Sequence, residues 1–501
     1  MTTSSYNPDV LTCLANLSND EVFTPPQVVN QMLDLLPASL WSDPNARFLD
    51  PVSKTGVFLR EIAKRLMAGL ADQFPDVQER ANHIFSQQLY ALAITELTAL
   101  LSRRSVYCSK RANSDYSVCT TFTDEQGNIR YTPMRHTWEN GRCRYCGASQ
   151  EVYARGETLE SHAYQFIHTT NPNQIFNMKF DVIIGNPPYQ LNNGGGSGSG
   201  AIPIYHKFIQ QSKKLLPHYL VMIVPSRWFS VGTGLDSFRS EMLSDNRIRI
   251  MVDFTNCKDC FPGLNINGGI NYFLWDSKYN GSCEFTNICN GIKSTTQRRL
   301  NEFPIFVRYN EAISIIHKVI SHKEQTLSQC ISSQTPFGIL TNVHGEKEHF
   351  SNSIILHSSK GIGYIYTSTV TKNRDWISKY KVLLGKAISG HAGEMDINGQ
   401  AKIIASTKVI GPYEVCSQSY LVVGPYEDAQ TANHVCQYLK SKFVRFLMFP
   451  QILSISISKS SFQFVPLQDF NEPWTDEKLY KKYGLTEEEI AFVESMIRPM
   501  E

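Results

Sequence analysis

The sequence predicts an α/β fold whose core is a doubly wound, mostly parallel sheet. Two observations lead to this prediction, and a third indicates a second domain. Short apolar runs alternate with longer segments throughout residues 45–290. The longer segments repeat their apolar residues at helical spacing, which is typical of strands joined by helices. Beyond about residue 300 the alternation fades, so a second domain is expected to begin there.

The elements of the first domain follow in a regular order. Strands are predicted at RFLDPV, LYALAIT, FDVIIG, YLVMIVPS, IRIMVDFT and GGINYFLWD, with the last of these ending the sheet. Helices are predicted at GVFLREIAKRLMAGL, ELTALLSRRSVY, PIYHKFIQQSKKLL and GLDSFRSEML. Ligands bind at the carboxyl ends of strands in open sheets of this kind, so functional residues are expected in the turns that follow the strands.

The C-terminal part of the chain has a different pattern. Polar loops alternate with the β-rich runs KVLLGKAISG, AKIIAST and SYLVVGPY, and one helix is predicted at AQTANHVCQYLKSKFVRFLM. We therefore expect a catalytic domain over residues 1–300 and an α+β domain over 301–470. An acidic helical tail is expected over 471–501, where Thr486 and Glu489 have the spacing of a capping box.

Charge is unevenly distributed along the chain. The net charge is only +2. Residues 330–460 carry 13 Lys and Arg against 8 Asp and Glu, and residues 461–501 carry 4 against 9. The basic region is either a surface for a polyanion or an ordinary fluctuation. With no signal-peptide pattern and no membrane-spanning apolar run, a cytoplasmic protein is expected, in which cysteines are free thiols or metal ligands.

A rigid turn follows the predicted strand FDVIIG. Pro187 and Pro188 fix their φ angles and bias Asn186 toward an extended conformation. The Asn186 amide oxygen and the carbonyl oxygen of Pro187 are then two acceptors held in place, and Tyr189 offers a flat face for a ring. This arrangement suits an amino group on a planar ring, such as the exocyclic amine of adenine. The alternative is a Pro-Pro pair that only ends a strand.

The segment LDPVSKTGVFL has the pattern of a strand, a turn and a helix. Asp50 lies at the end of the strand, where its carboxylate can meet an ammonium group, and Gly56 lets the backbone approach a ligand. The alternative for Asp50 is a common Asp-Pro turn.

The turn Asn186-Pro187-Pro188-Tyr189 resembles the catalytic motif of amino-group methyltransferases, above all the N6-adenine DNA methyltransferases of restriction–modification systems. EVFTPPQVVNQML and FLDPVSKTGVFL resemble the cofactor motifs of that family, in the order of its γ group. The resemblance implies a Rossmann-like methyltransferase sheet, S-adenosylmethionine as cofactor and double-stranded DNA as partner. It also implies a C-terminal target-recognition domain, and it leaves open whether a separate cognate restriction endonuclease exists.

The resemblance also implies roles for individual residues. Thr24 and Pro25 would line the cofactor pocket with Asp50, and Glu96 would accept the ribose hydroxyls. The alternative for Glu96 is an acid that complements a helix dipole. The sequence departs from the family at Lys54, where glycine is usual. It also lacks the usual acidic residue after the third strand.

In place of the missing acidic residue after the third strand, His162 and Tyr164 are the candidates for contact with the cofactor's adenine.

The mechanism expected from Asn186 and the Pro187 carbonyl needs no covalent nucleophile. Asn186 and the Pro187 carbonyl accept both amine hydrogens, which frees the nitrogen lone pair for in-line methyl transfer. The target base must leave the duplex and stack, on Tyr189 in this interpretation. The Gly- and Ser-rich loop 191–200 is either a lid over that base or a surface insertion.

A cysteine-rich insertion is predicted over residues 105–150. Cys108, Cys119, Cys143 and Cys146 lie within about 40 residues and include one C-x2-C pair, which fits a tetrahedral structural zinc site. His136 is an alternative ligand, and unrelated buried thiols are the alternative interpretation. A second pair, Cys257 and Cys260, is expected to be free thiols.

Other functions share part of this pattern. Protein glutamine and RNA guanine methyltransferases have the same turn, but they usually lack a large C-terminal domain. A catalytically decayed specificity subunit is a non-enzyme alternative, suggested by Lys54. Target recognition is expected mainly in residues 330–460, with Arg374 and Arg445 as candidate DNA contacts among several other basic residues.

Overall fold

The first of two units is built around a nine-stranded sheet. The computed structural model describes residues 22–154, 161–191, 201–229 and 234–500, apart from 265, 267, 290, 387–395, 397–398 and 452–456. The units are Met1–Glu302 and Phe303–Glu501.

The strands of the first unit are β1 (Phe48–Ser53), β2 (Leu89–Ala93), β3 (Ile129–Arg130), β4 (Trp138–Glu139), β5 (Arg142–Cys143), β6 (Val182–Gly185), β7 (Gln190–Leu191), β8 (Ile202–Pro203), β9 (Tyr219–Pro225), β10 (Ile248–Phe254), β11 (Ile270–Asp276), β12 (Cys283–Cys289) and β13 (Ile292–Arg298). The helices are α1 (Pro26–Leu33), α2 (Val57–Gly69), α3 (Val77–His83), α4 (Glu96–Tyr107), α5 (Gln150–Tyr153), α6 (Tyr205–Lys214) and α7 (Asp236–Ser244).

The large sheet has the strand order β13-β12-β10-β11-β9-β6-β1-β2-β3. Strand β1 pairs in parallel with β2 and with β6, and β6 pairs in parallel with β9. Strand β11 is inserted antiparallel between β9 and β10. The chain adds strands on one side of β1 and then returns to its other side, so the topological switch point lies between β1 and β6. The predicted doubly wound, mostly parallel sheet is confirmed.

Burial explains why the central strands read as continuous apolar runs. Every residue of β1 and of β6 is buried, as expected for parallel strands covered on both faces. Helix α2 packs on this sheet through Phe58, Leu59 and Ile62, which lie on one helical face. These side chains belong to one hydrophobic core around β1, β2 and β6.

The sheet continues past its predicted end. GGINYFLWD forms β11, but β12 and β13 follow and extend the sheet beyond β10. Strand β13, with the sequence IKSTTQR, lies at the edge of the sheet and most of its residues are partly or fully exposed. A strand that buries so little carries few apolar residues, so the hydrophobic pattern gives no signal for it.

The second unit contains two three-stranded sheets and a set of helices. One sheet has the order β15-β14-β18 and the other β17-β16-β19, and a separate hydrophobic core lies between their buried residues. Its strands are β14 (Ser353–Ser358), β15 (Gly361–Tyr366), β16 (Tyr380–Gly385), β17 (Thr407–Ile410), β18 (Glu414–Cys416) and β19 (Tyr420–Tyr426). Its helices are α8 (Asn310–Ser321), α9 (Ala429–Lys440), α10 (Lys442–Met448), α11 (Asp476–Tyr483) and α12 (Glu487–Met496).

The local sequence patterns of the second unit predict some of its elements correctly and miss others. The single helix predicted from Ala429 is two, because the Ser441 side chain accepts a hydrogen bond from the Val444 amide and begins α10. AKIIAST forms only an isolated bridge at Ala401 before β17 begins. The capping box of Thr486 and Glu489 is present at the start of α12. Within the described part of the chain, none of the helices combines the length and apolar character needed to cross a membrane.

Candidate active site

Asp50 is the third residue of β1, which continues past it to Ser53 rather than ending there as the sequence predicts, and the residue is 2% exposed. Its Oδ1 accepts a hydrogen bond from the Val52 amide at 3.1 Å. Burial raises the pKa of the Asp50 carboxyl to about 7, and the hydrogen bonds from Val52 and Ser53 and the nearby charge of Lys54 offset only part of that rise. A group that brings positive charge to Asp50 therefore favours its ionised form.

Gly185 brings the end of β6 close to Asp50. A Cβ at Gly185 would lie 3.0 Å from Asp50 Oδ1 and 2.9 Å from a methyl carbon of Val52, so only glycine leaves room there. The next residue is Asn186, which begins the predicted turn. β1 and β6, which meet at the switch point of the sheet, thus bring Asp50 and Asn186 into the lining of one pocket.

The Asn186 side chain is held in one orientation. Its Nδ2 donates to the carbonyl oxygen of Val22 at 3.1 Å and to the hydroxyl of Thr24 at 3.0 Å. A carbonyl oxygen only accepts, so the nitrogen must face Val22 and the amide oxygen must point the other way. Asn186 Oδ1 is buried and has no hydrogen-bond partner among the described residues. Such an acceptor is costly to bury without a partner and is well suited to take a hydrogen from a ligand.

Lys54 is part of the same arrangement. The side chain is 6% exposed, and its ammonium donates to the Val22 carbonyl at 3.0 Å. Lys54, which stands where the resembled family usually has glycine, therefore connects the turn after β1 to the segment before α1 by a hydrogen bond. Sequence reasoning noted this departure but did not find the shared contact with Val22, because no local pattern connects residues so far apart.

A small pocket joins these residues. It is lined by Asp50, Val52, Asn186, the segment 22–24 and the turn 54–58. Thr24 and Gly56 therefore lie in the lining of one pocket with Asp50 and Asn186. Gly56 has a left-handed φ of 72°, and a Cβ there would lie 2.9 Å from the Ser102 carbonyl oxygen of α4. Close packing of α2 on α4 is thus a second reason for glycine at this position.

The other predicted cofactor residues lie outside the lining of this pocket. Pro25 is half-buried just before α1, and its carbonyl accepts from the Val29 amide at 3.1 Å. Glu96 is exposed in the first turn of α4, at the carboxyl end of β2. Tyr164 is buried and packs on Phe208.

Tyr189 ends the turn with its ring in the hydrophobic core. The side chain is 8% exposed, and its hydroxyl has no hydrogen-bond partner among the described residues. Burial raises the pKa of Tyr189 well above its ordinary value. The Gly- and Ser-rich loop 191–200, predicted as either a lid or a surface insertion, lies outside the described residues apart from Leu191, which is in β7.

The predicted zinc ligands do not come together as one set. Cys108 is exposed at the end of α4, and Cys119 is buried beside Thr121, with its Sγ 3.4 Å from the Thr121 hydroxyl. Cys143 and Cys146 instead lie with His136 and His168. Chain spacing suggested the four cysteines, but the fold separates the first two from the C-x2-C pair. His136 was an alternative ligand, and His168 carried no spacing signal.

A family model and a curated relative are similar to this sequence over long stretches. Residues 87–261 match the family model described as "Eco57I restriction-modification methylase". A protein of Mycoplasma pneumoniae (strain ATCC 29342 / M129 / Subtype 1) described as "Uncharacterized adenine-specific methylase" is 36% identical over 373 residues, which are 68% of this chain and 87% of that protein. The chain belongs to the Eco57I restriction-modification methylase family. The resemblance drawn from the motifs is thereby confirmed.

Solved structures also match the methylase, at low sequence identity. A modification subunit of a putative type I restriction enzyme from Vibrio vulnificus YJ016 is 14% identical with a TM-score of 0.34, and the match covers 56% of this chain and 50% of that one. A nuclease-deletion mutant of the Type ISP enzyme LlaGI, in complex with a DNA substrate mimic, is 11% identical with a TM-score of 0.48 and coverage of 91% and 46%. The Type IIL enzyme MmeI in complex with DNA is 11% identical with a TM-score of 0.45 and coverage of 91% and 66%. The methylase thus spans about half to two thirds of these solved chains.

Proposed function

We propose that this methylase transfers a methyl group from S-adenosylmethionine to N6 of adenine in a defined DNA sequence, as the modification component of a restriction–modification system. The observation that carries the proposal is the free, buried Oδ1 of Asn186 in the pocket that Asp50 also lines, at the switch point of the sheet. Family membership supports methyl transfer. The Mycoplasma pneumoniae relative, described as an adenine-specific methylase, supports adenine as the target.

The residues around the pocket fit this cofactor. Asp50 is a buried carboxyl whose pKa is raised to about 7, so a neighbouring ammonium group favours its charged form. Thr24 and Gly56 line the same pocket. We assign Pro25 and Glu96 to contacts with the cofactor outside this lining. When bound, S-adenosylmethionine supplies an electrophilic methyl group on a sulfonium sulfur.

Asn186 and the Pro187 carbonyl perform the positioning. Each accepts one hydrogen of the adenine amine, which releases the nitrogen lone pair from the ring. Held in this way, the amine nitrogen would face the methyl group that bound S-adenosylmethionine supplies, and the proton released from N6 would pass to solvent. We assign Pro188 to fixing the turn. Tyr189 is the proposed stacking surface, and because its ring is only 8% exposed, stacking requires its neighbours to open.

A base inside a duplex cannot reach this turn, so the proposal includes base flipping. We place target recognition in residues 301–470. Arg374 is exposed and remains a candidate DNA contact. Arg445 is not one, because its guanidinium is buried and donates to the carbonyls of Lys440, Ser441 and Arg498. A separate endonuclease partner fits this role but is not required for the transfer.

The alternatives make different demands on the site. A decayed specificity subunit was suggested by Lys54, yet Lys54 and Asn186 bond to the same carbonyl and the turn is intact. A protein or RNA methyltransferase would place the methyl group on another polymer. Any metal held by the cysteine-rich insertion has a structural role in this proposal, since the transfer described above uses none.

The deciding experiment expresses the full chain in a host that lacks adenine methylation, followed by sequencing with detection of modified bases. We expect N6-methyladenine at one defined sequence with the wild type and none with Asn186→Ala. Methylated protein or RNA with unmodified DNA would refute the DNA assignment. Unmodified DNA together with no S-adenosylmethionine binding by calorimetry would indicate the decayed subunit.

A further inference from the structure

Four side chains outside the lining of the Asn186 pocket converge, three from the cysteine-rich insertion and one from the chain that follows it. They are His136, Cys143, Cys146 and His168, and one nitrogen or sulfur atom from each lies within 4.8 Å of the others. All but His136, which is half-buried, are buried. Two thiols and two imidazoles are the donors that zinc prefers in closed structural sites.

Backbone carbonyls fix the orientation of both imidazoles. His136 Nε2 lies 2.6 Å from the Ser161 carbonyl oxygen, and His168 Nδ1 lies 2.8 Å from that of Tyr164. Because a carbonyl only accepts, each of these nitrogens carries the proton. The opposite nitrogens, His136 Nδ1 and His168 Nε2, therefore direct lone pairs into the cluster. This carbonyl-bonded arrangement is typical of metal-binding histidines.

The spacing of the donors agrees with a tetrahedral ion. With bonds of about 2.0 Å to nitrogen and about 2.3 Å to sulfur, tetrahedral geometry separates two nitrogens by about 3.3 Å and a nitrogen and a sulfur by about 3.5 Å. His136 Nδ1 lies 3.4 Å from His168 Nε2 and 3.4 Å from Cys146 Sγ. These two separations match those of donors bound to one tetrahedral ion.

The local backbone is built to present the two cysteines together. Cys143 ends the hairpin of β4 and β5, and its carbonyl accepts from the Gly147 amide at 2.9 Å. Gly147 has a φ of 81°, which turns the chain back after Cys146. The Cys143 amide donates to the Ala148 carbonyl at 2.8 Å and closes the turn.

We propose that His136, Cys143, Cys146 and His168 bind one zinc ion, and that Cys108 and Cys119 do not. Four protein donors leave no open position, so the ion is structural. The site is close to the chain that follows the catalytic turn. A Cβ on Gly147 would lie 3.9 Å from Ile202 of β8, and Ile202 pairs with Leu191 of β7. The ion would thus order the segment 146–147, which approaches the strand pair that follows Tyr189.

The first test measures zinc in the purified full chain by elemental analysis. We expect about one zinc per chain in the wild type and in the matched control Cys108→Ser/Cys119→Ser. His168→Ala and Cys143→Ser/Cys146→Ser are expected to retain less than about a tenth of that amount. A metal-free wild type from zinc-supplemented cells would overturn the proposal, as would loss of zinc from the control together with retention in His168→Ala.

The second test needs no variant and so does not depend on how the variants fold. Zinc X-ray absorption of the wild-type protein is expected to show two nitrogens at about 2.0 Å and two sulfurs at about 2.3 Å. A shell of four sulfurs would instead indicate the four cysteines and refute the set proposed here. Neither measurement depends on DNA methylation, so the metal proposal is tested separately from the proposed function.

Discussion

The ammonium of Lys54 and the side-chain amide of Asn186 donate to the same acceptor, the carbonyl oxygen of Val22, at 3.0 and 3.1 Å. One backbone carbonyl thus connects the turn after β1, the turn after β6 and the segment before α1. The contact explains how a lysine is accommodated where the family usually has glycine. It also holds Asn186 with its oxygen free, on which the proposed chemistry depends.

Asn186→Ala is expected to abolish methyl transfer and leave S-adenosylmethionine affinity within about twofold, because the side chain is proposed to touch only the amine. A preorganised hydrogen-bonding group of this kind contributes about 3 kcal/mol or more to transition-state stabilisation. Thr24→Val removes one of the two acceptors that orient the amide and should reduce kcat by about tenfold. Single-turnover methylation and calorimetry measure both effects. A wild-type rate in Asn186→Ala would place the active site elsewhere.

Asp50 predicts a pH dependence of cofactor binding. Its pKa is raised to about 7, and an ammonium ligand needs the ionised carboxylate. The carboxyl is mostly ionised at pH 8 and mostly protonated at pH 6, while an α-ammonium group with a pKa near 8 is about half charged at pH 8, so the affinity for S-adenosylmethionine should fall about fourfold from pH 8 to pH 6. Asp50→Asn should bind more weakly, by about 1.5–3 kcal/mol at pH 8, and lose this dependence.

Lys54→Met serves as a companion variant in the same titration. Removing its positive charge should raise the pKa of Asp50 and move the binding transition to higher pH, whereas Lys54→Arg should keep it near the wild-type value. A wild-type affinity that is flat between pH 6 and pH 8 would show that Asp50 does not meet the ammonium group.

Gly185→Ala is expected to lower stability by about 1–3 kcal/mol, because the added methyl group meets both Asp50 and Val52. It should also reduce methyl transfer, since Asn186 follows directly. Gly411→Ala, in the second unit, is the control: an added Cβ there would have its nearest neighbouring atom at 3.4 Å, which is ordinary contact. Urea unfolding of both variants provides the comparison, and equal stabilities would mean that β1 and β6 have room to separate.

Arg374 and Arg445 are expected to behave differently when replaced by alanine. Arg374 is exposed, so its loss should weaken DNA binding at all sequences and reduce the salt slope by about 1 if it contacts a phosphate. Arg445 is buried against three carbonyls, so its loss should lower the unfolding midpoint instead. DNA titrations at several salt concentrations and thermal unfolding separate the two outcomes. Weaker DNA binding with unchanged stability in Arg445→Ala would contradict this assignment.

Replacing residues 330–460 with the same region of a relative that reads another site should change the methylated sequence and leave adenine N6 methylation intact. The reason is that base-edge contacts carry specificity, while the proposed chemistry belongs to the Asn186 turn. Sequencing of methylated host DNA measures the outcome. A folded, active chimera that still marks the original site would place specificity in the first unit.

The sequence by itself determined the class of the fold and singled out the turn at Asn186 as the proposed catalytic turn. Central parallel strands are buried on both faces and therefore appear as apolar runs, and two prolines restrict the backbone whatever surrounds them. Both signals are local, so they can be read without knowing the neighbours. The edge strand β13 carries no such signal, because it buries too little to need apolar residues.

Only the tertiary structure decided which distant residues meet. The shared acceptor Val22, the bonds of Lys54 and the lone pair of His168 depend on segments that approach each other through the sheet and the insertion. Hydrogen bonds of this kind depend on distance and direction, and neither is encoded in the spacing along the chain. The same reason separates Cys108 and Cys119 from Cys143 and Cys146, although all four lie within a short stretch of sequence.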